Sequence, residues 1–281
     1  MRVLVTGGAG QLARDIGARW SAVGDDVVAV TREQLDVTRR DDVLGAITSL
    51  RPDVVVNCAA WTAVDACEGD ADRAFATNAL GVRWVREACV RADAHLVQIS
   101  TDYVFDGTLE RPYHEWDAPN PRSVYGASKL GGEREAGPDA SIVRTSWVCG
   151  EHGNNMVRTV LRLAGERASL SFVDDQRGCP TFTTDLADAV RRLAVARRPG
   201  VHHVTNAGGV SWYEFVRDIV AAAGHDPGMV QPIATADLDP PRPAPRPTNS
   251  VLDNAALRLG GLPPMRHYRE PLHELVARLT A

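Results

Sequence analysis

Val3-Leu4-Val5-Thr6-Gly7-Gly8-Ala9-Gly10-Gln11-Leu12-Ala13 decides how this chain is read. A β-branched run enters a glycine turn and leaves it on a helical pattern, Gln11 to Ala22. Glycines at such a turn let the chain bend tightly and let backbone N–H groups approach an anion at the positive end of the helix. The spacing is Gly-x-x-Gly-x-x-Ala, with Ala13 adding one methyl where a third glycine would make a close helix–strand contact. Strand, turn and helix in this order predict a dinucleotide-binding unit, with a purely structural turn as the plainer alternative.

The pattern then repeats. Val27–Val30, Val54–Asn57, His95–Ile99 and Ser141–Arg144 read as further strands, and Asp41–Leu50, Ala71–Arg91 and Ser123–Glu135 as helices between them. This alternation predicts an α/β protein with a Rossmann-type doubly wound parallel sheet whose strand ends share one rim. Past residue 150 it loosens, with helices near Met156–Gly165, Thr184–Ala196 and Trp212–Ala223 and a strand at Val201–Thr205. The expected division is a dinucleotide-binding domain over 1–150 and a smaller, mainly substrate-binding lobe over 151–281, some of whose segments return to the core. The run Asp239-Pro240-Pro241-Arg242-Pro243-Ala244-Pro245-Arg246-Pro247 continues neither a helix nor a central strand and reads as an ordered surface loop.

Composition narrows the function. The 281 residues are 44% hydrophobic and 24% charged, ordinary for a globular protein, with net charge −5. That charge argues against a general polyanion-binding surface and so against nucleic acid. Five cysteines (Cys58, Cys67, Cys89, Cys149, Cys179) form no Cys-x-x-Cys pair, as expected of free thiols in a reducing cytoplasm. No run reads as a signal peptide or membrane span. No His/Cys/carboxylate spacing resembles a metal centre, so no metal is expected, with Asp15 the weakest of candidates.

Lys129 is the only lysine among 31 basic residues. It stands four residues after a tyrosine in Tyr125-Gly126-Ala127-Ser128-Lys129. An ammonium is a compact charge that can approach a phenol and a ribose hydroxyl together, which a guanidinium fork does poorly. At about 4 Å and an effective dielectric near 20 it is worth ~4 kcal/mol, enough to bring a phenol toward neutrality. The plainer reading is two side chains stacked at i and i+4. Val30-Thr31-Arg32 closes the second strand, where a cofactor-selective residue would stand. Thr31 and Arg32 in place of an acid suit a 2′-phosphate and favour NADPH over NADH; alternatively Arg32 is solvated and Glu33 takes the ribose. Asp36 and Val37, just beyond, fall beside the adenine.

Together these motifs resemble the dTDP-4-dehydrorhamnose reductase family of extended short-chain dehydrogenase/reductases. The resemblance runs through Leu35-Asp36-Val37-Thr38, Asn57-Cys58-Ala59-Ala60-Trp61-Thr62-Ala63-Val64-Asp65, Ser100-Thr101-Asp102-Tyr103-Val104-Phe105-Asp106-Gly107, Tyr125 to Leu130, Arg144-Thr145-Ser146-Trp147-Val148 and Arg246 to Asp253. It implies Tyr125 as proton donor, Lys129 on the nicotinamide ribose lowering the phenol pKa, and Thr101 as a third hydroxyl. It also implies that Gly7, Gly10, Gln11, Leu12, Ala60, Trp61, Thr62 and Ile99 line the cofactor site, and that Thr101, Asp102, Tyr103 and Trp147 face a dTDP-sugar. The chemistry implied is reduction of a 4-keto-6-deoxysugar nucleotide in rhamnose or antibiotic-sugar biosynthesis, by a monomer or homodimer. A non-catalytic NADP-binding regulatory subunit of the same fold is the alternative, and an epimerase or dehydratase with tightly held NAD is disfavoured by the missing acid after the second strand.

Overall fold

A computed structural model describes residues 1–281. Its strands β1 (Arg2–Thr6), β2 (Asp26–Val30), β3 (Val54–Asn57), β4 (His95–Thr101), β5 (Ser141–Thr145) and β6 (Gly200–His203) form one parallel sheet in the order β2-β1-β3-β4-β5-β6. The main helices are α1 (Gln11–Ala22), α2 (Arg40–Leu50), α3 (Gly81–Ala92), α4 (Val124–Ala136), α5 (Met156–Glu166), α6 (Thr183–Val195), α7 (Trp212–Ala222) and α8 (Arg269–Thr280).

Successive strand residues point to opposite faces, so apolar runs are needed where helices cover both. Val3, Val5, Val54 and Val56 face α1 and α6, whose Leu12, Ile16, Trp20, Leu186, Val190 and Leu193 complete one core. Leu4, Val55 and Leu96 face the other way, onto Val43 and Ile47 of α2 and Val82 and Val85 of α3. The helix α6 and strand β6 lie beyond residue 150, yet both belong to this layer; β6 pairs with β5 from Gly200 opposite Ser141 to His203 opposite Arg144. The remaining C-terminal elements pack on each other through Val157 and Val160 of α5, Phe215 and Ile219 of α7 and Leu272 and Leu275 of α8. A parallel pair, Leu170–Val173 with Val230–Ile233, flanks them. No helix is long and apolar enough to cross a membrane.

One expected helix differs. Ala71–Arg91 is broken into Ala71–Phe75, a π-helical turn at Ala76–Leu80, and α3. A π turn adds one residue to the helical repeat and leaves the apolar periodicity on both sides intact, so the pattern reads as unbroken. The proline-rich segment is docked, with the Ala244 amide donating to Asp65 at 3.1 Å.

Candidate active site

The sheet changes direction between β1 and β3, and the crevice beyond such a switch point is where α/β proteins bind ligands. Here the glycine turn fills it. Gly7 has φ +67°, and a Cβ on it would lie 2.9 Å from the Ala59 amide nitrogen; one on Gly8 would lie 3.0 Å from the backbone of Ala29 and Val30. The turn is thus wedged between the ends of β2 and β3, and only glycine fits at Gly7.

Above it runs a groove of about 450 Å³. Gly7, Gly10, Gln11 and Leu12 line one end, Arg32, Asp36 and Val37 a second, and Ala60, Trp61, Thr62 and Ile99 the third. Thr31 is not in the lining; its amide is turned back to Gln34 at 2.8 Å. The Gln11 side chain also turns away, donating to the Val148 carbonyl at 3.0 Å, which ties the turn to the chain leaving β5. Arg32 is exposed and rests on Asp36 at 3.2 Å. The sequence reading did not include Cys58, Thr77, Gly153 and Asn154, which also line the groove. A cradle a Cβ would fill, followed by a groove that reaches an exposed arginine, fits a dinucleotide.

The catalytic candidates meet where β4 ends. Ser123 caps α4, accepting from the Gly126 amide at 3.1 Å. A Cβ on Gly126 would come within 2.2 Å of the Tyr103 carbonyl oxygen, so α4 lies hard against the turn that follows Thr101. This sets Thr101 beside Tyr125, where its hydroxyl opposes the rise of the phenol pKa. The Tyr103 ring meets the Tyr125 ring edge-on, centroids 5.8 Å apart. Arg246, from the proline-rich segment, sits beside the Tyr103 hydroxyl while holding Asp65 through two contacts of 2.5 and 2.6 Å.

Two candidate residues make contacts that the sequence did not announce. Lys129 is buried and donates from Nζ to the Ile99 carbonyl at 2.6 Å. Residues at i and i+4 share a helix face but need not touch. Burial raises the Tyr125 pKa, with the Thr101 hydroxyl opposing. Burial also lowers Lys129 to about 8, against Glu133 and Cys58. Since its ammonium is lost as pH rises through that value, kcat/KM should fall above about pH 8. Lys129→Arg, which stays charged, should be weakly active without that limb in a pH–rate profile.

The Asp102 side chain is turned inward. It is 2% exposed, and its carboxylate accepts from Thr101 and Ser146 at 3.0 Å each and from Ser250 at 2.5 Å. Trp147 stacks on Trp212, centroids 3.5 Å apart, and its φ of +45° is strained for so bulky a residue. The turn leaving β5 is therefore held by packing rather than by local preference.

Asn78 was not anticipated. Buried in the π turn, it accepts from the Trp61 amide at 2.8 Å and donates to the Trp61 carbonyl and to Ser128 Oγ at 3.1 and 3.0 Å. One side chain joins the groove wall to the helix of Tyr125 and Lys129. A weak helix former amid an apolar helical pattern was the available signal.

The whole chain, residues 1–281, matches the family described as "RmlD substrate binding domain". It is 43% identical to a dTDP-4-dehydrorhamnose reductase of Streptomyces griseus, covering 97% of this chain and 92% of that one. It is also 43% identical to a probable dTDP-4,6-dihydroxy-2-methyloxan-3-one 4-ketoreductase of Streptomyces antibioticus, covering 100% and 96%. The crystal structure of dTDP-4-dehydrorhamnose reductase from Bacillus anthracis in complex with NADP superposes with a TM-score of 0.95 at 36% identity over 99% of both chains. With Lys129 held on the carbonyl of Ile99, a residue that lines the groove, and with similarity running end to end, the chain belongs to the dTDP-4-dehydrorhamnose reductase family of NAD(P)H-dependent oxidoreductases.

Proposed function

We propose that this protein uses NADPH to reduce the 4-keto group of a dTDP-linked 4-keto-6-deoxysugar, giving dTDP-L-rhamnose or a related deoxysugar. The observation that carries the reading is the hydrogen bond from Lys129 Nζ to the Ile99 carbonyl at 2.6 Å, which sets the helix of Tyr125 and Lys129 against the strand that ends at Thr101 and beside the groove that Ile99 lines. The names of the two Streptomyces relatives, one a rhamnose-type reductase and one a 4-ketoreductase of another deoxysugar, support the substrate class and leave the particular sugar to experiment.

In this reading residues 1–150 hold the dinucleotide and the part of 151–281 outside the sheet layer holds the sugar nucleotide, with Tyr103 and the anchored Trp147 walling the sugar. Gly7, Gly10 and Leu12 hold the pyrophosphate, Asp36 and Val37 flank the adenine, and Ala60, Trp61, Thr62 and Ile99 hold the nicotinamide half. A bound nicotinamide supplies the hydride. Tyr125 donates its proton to the oxygen that becomes the alcohol, and Thr101 offers a hydrogen bond as negative charge passes from that oxygen to the phenol. Lys129, an ammonium held by Ile99, places its charge where it favours the phenolate left behind. Burial of all three keeps water out and strengthens these interactions.

Arg32 is assigned to the 2′-phosphate, for which it must exchange its contact with Asp36. Arg32→Ala should raise the KM for NADPH by roughly five- to tenfold, as for one exposed charge-assisted hydrogen bond, and leave that for NADH nearly unchanged. Equal effects on both cofactors would remove the assignment. The reading as a whole is tested with a panel of 4-keto-6-deoxysugar nucleotides, following NADPH oxidation and determining product stereochemistry; no turnover with any of them would overturn it.

A further inference from the structure

The carboxylate of Asp102 is satisfied by three hydroxyls from three separate parts of the chain. Thr101 closes β4 and donates to Oδ1; Ser146 follows β5 and donates to Oδ2; Ser250 reaches Oδ2 from 148 residues away. A hydroxyl has one proton and two lone pairs. While Thr101 gives that proton to Asp102, it can only accept from its other neighbours, and one lone pair is already taken by the Tyr103 amide at 3.2 Å. The other is open to the Tyr125 phenol beside it, and a phenol proton given to Thr101 points away from a ketone.

We propose that the Asp102 carboxyl sets the direction of the Thr101 proton and, through it, the readiness of Tyr125 to protonate substrate. This rests on the role given to Tyr125 above. An ionised Asp102 holds the Thr101 proton. A protonated Asp102 keeps its own proton and donates it as a hydrogen bond to Thr101; Thr101 then turns its proton to the Tyr125 oxygen, and the Tyr125 proton is free to pass to the substrate oxygen. One O–H bond forms on the product and one breaks at Tyr125, and Asp102 gains or loses no proton in the step. Asp102 is thus a positioning residue.

The surroundings suit such a switch. Burial pushes Asp102 up to about 6, with the hydroxyls of Ser250, Thr101 and Ser146 opposing. The titratable groups facing it are Tyr103, Tyr125 and Cys179, and burial raises all three well above that range. They are neutral while Asp102 titrates, so nothing nearby masks its change of charge.

The test compares the wild type with Asp102→Asn, whose amide nitrogen donates to Thr101 as the protonated carboxyl does while its oxygen keeps both serines. Wild-type single-turnover reduction at saturating NADPH should rise roughly three- to tenfold from pH 7.5 to 5, the worth of one hydrogen bond. The asparagine variant should be flat over that range, with KM values and melting temperature near those of wild type. A rise that persists in Asp102→Asn comes from substrate or cofactor phosphates and overturns the proposal, as does a flat wild type. In a Thr101→Val background, Asp102→Asn should change nothing further; an additional effect there would show that Asp102 acts by another route. An infrared titration needs no turnover: the protonated-carboxyl band absent from Asp102→Asn should appear near pH 6 in wild type and at higher pH in Thr101→Val, which lacks one donor to the carboxylate. An unchanged titration in Thr101→Val would sink the inference even if the substrate assignment stood; a shifted one together with a flat Asp102→Asn rate profile sustains it.

Discussion

Tyr125→Phe should bind NADPH as the wild type does and lose turnover by about 10²–10⁴-fold, the range for removal of a positioned general acid. The phenylalanine keeps the ring that meets Tyr103 edge-on, so the packing of α4 against the turn after β4 should persist. Only the oxygen beside Thr101 is lost. Cofactor affinity by fluorescence titration and rate by NADPH oxidation separate the two properties. Near-normal turnover in the purified variant would show that the proton comes from another group.

Glu133→Gln should have the largest effect on stability. Glu133 and Arg144 are 6% and 3% exposed and face each other through contacts of 2.9 and 2.7 Å, with Ser100 completing the carboxylate at 2.5 Å. Arg144 also lies over the Phe105 ring at 5.1 Å. Removing one partner leaves a buried guanidinium without its counter-charge, which costs about 3–5 kcal/mol. For a chain of this size that is a fall in melting temperature of roughly 6–20 °C. The same carboxylate raises the pKa of Lys129 against burial, so in the variant the alkaline limb of the pH–rate profile should move to lower pH. A melting temperature within a degree or two of wild type, measured by calorimetry, would mean that water reaches Arg144 and that the pair is not buried as described.

The strands β1 and β3 were legible because they are covered on both faces and must be written as nearly continuous apolar or β-branched runs. The glycine turn was legible because Gly7 has a backbone that other residues rarely adopt. What the sequence did not carry is direction. Tyr125 and Lys129 lie four residues apart, and that spacing says nothing of the Ile99 carbonyl that takes the ammonium. Asp102 stands beside Thr101 in sequence, and Ser146 and Ser250, brought in by the fold, join Thr101 in holding it inward. Asn78 was hidden because a π turn preserves the apolar repeat around it. The place of β6 in the sheet was hidden because its partner β5 lies on the far side of more than fifty intervening residues.

The long reach of Ser250 and Arg246 also fixes an order of events during synthesis. At about 5–20 residues per second, a ribosome adds the 148 residues separating Asp102 from Ser250 in roughly 7–30 s. Helix formation and local strand pairing are complete in far less time. The glycine turn and the first five strands can therefore assemble while α6, which covers one face of their sheet, has yet to be made. For that interval the nascent chain exposes Val3, Val5, Val54 and Val56 and carries an Asp102 that lacks one of its three donors. A ribosome stalled near residue 150 would display a sticky sheet and no completed catalytic centre, which makes the arrival of the C-terminal third the step that ends both conditions together.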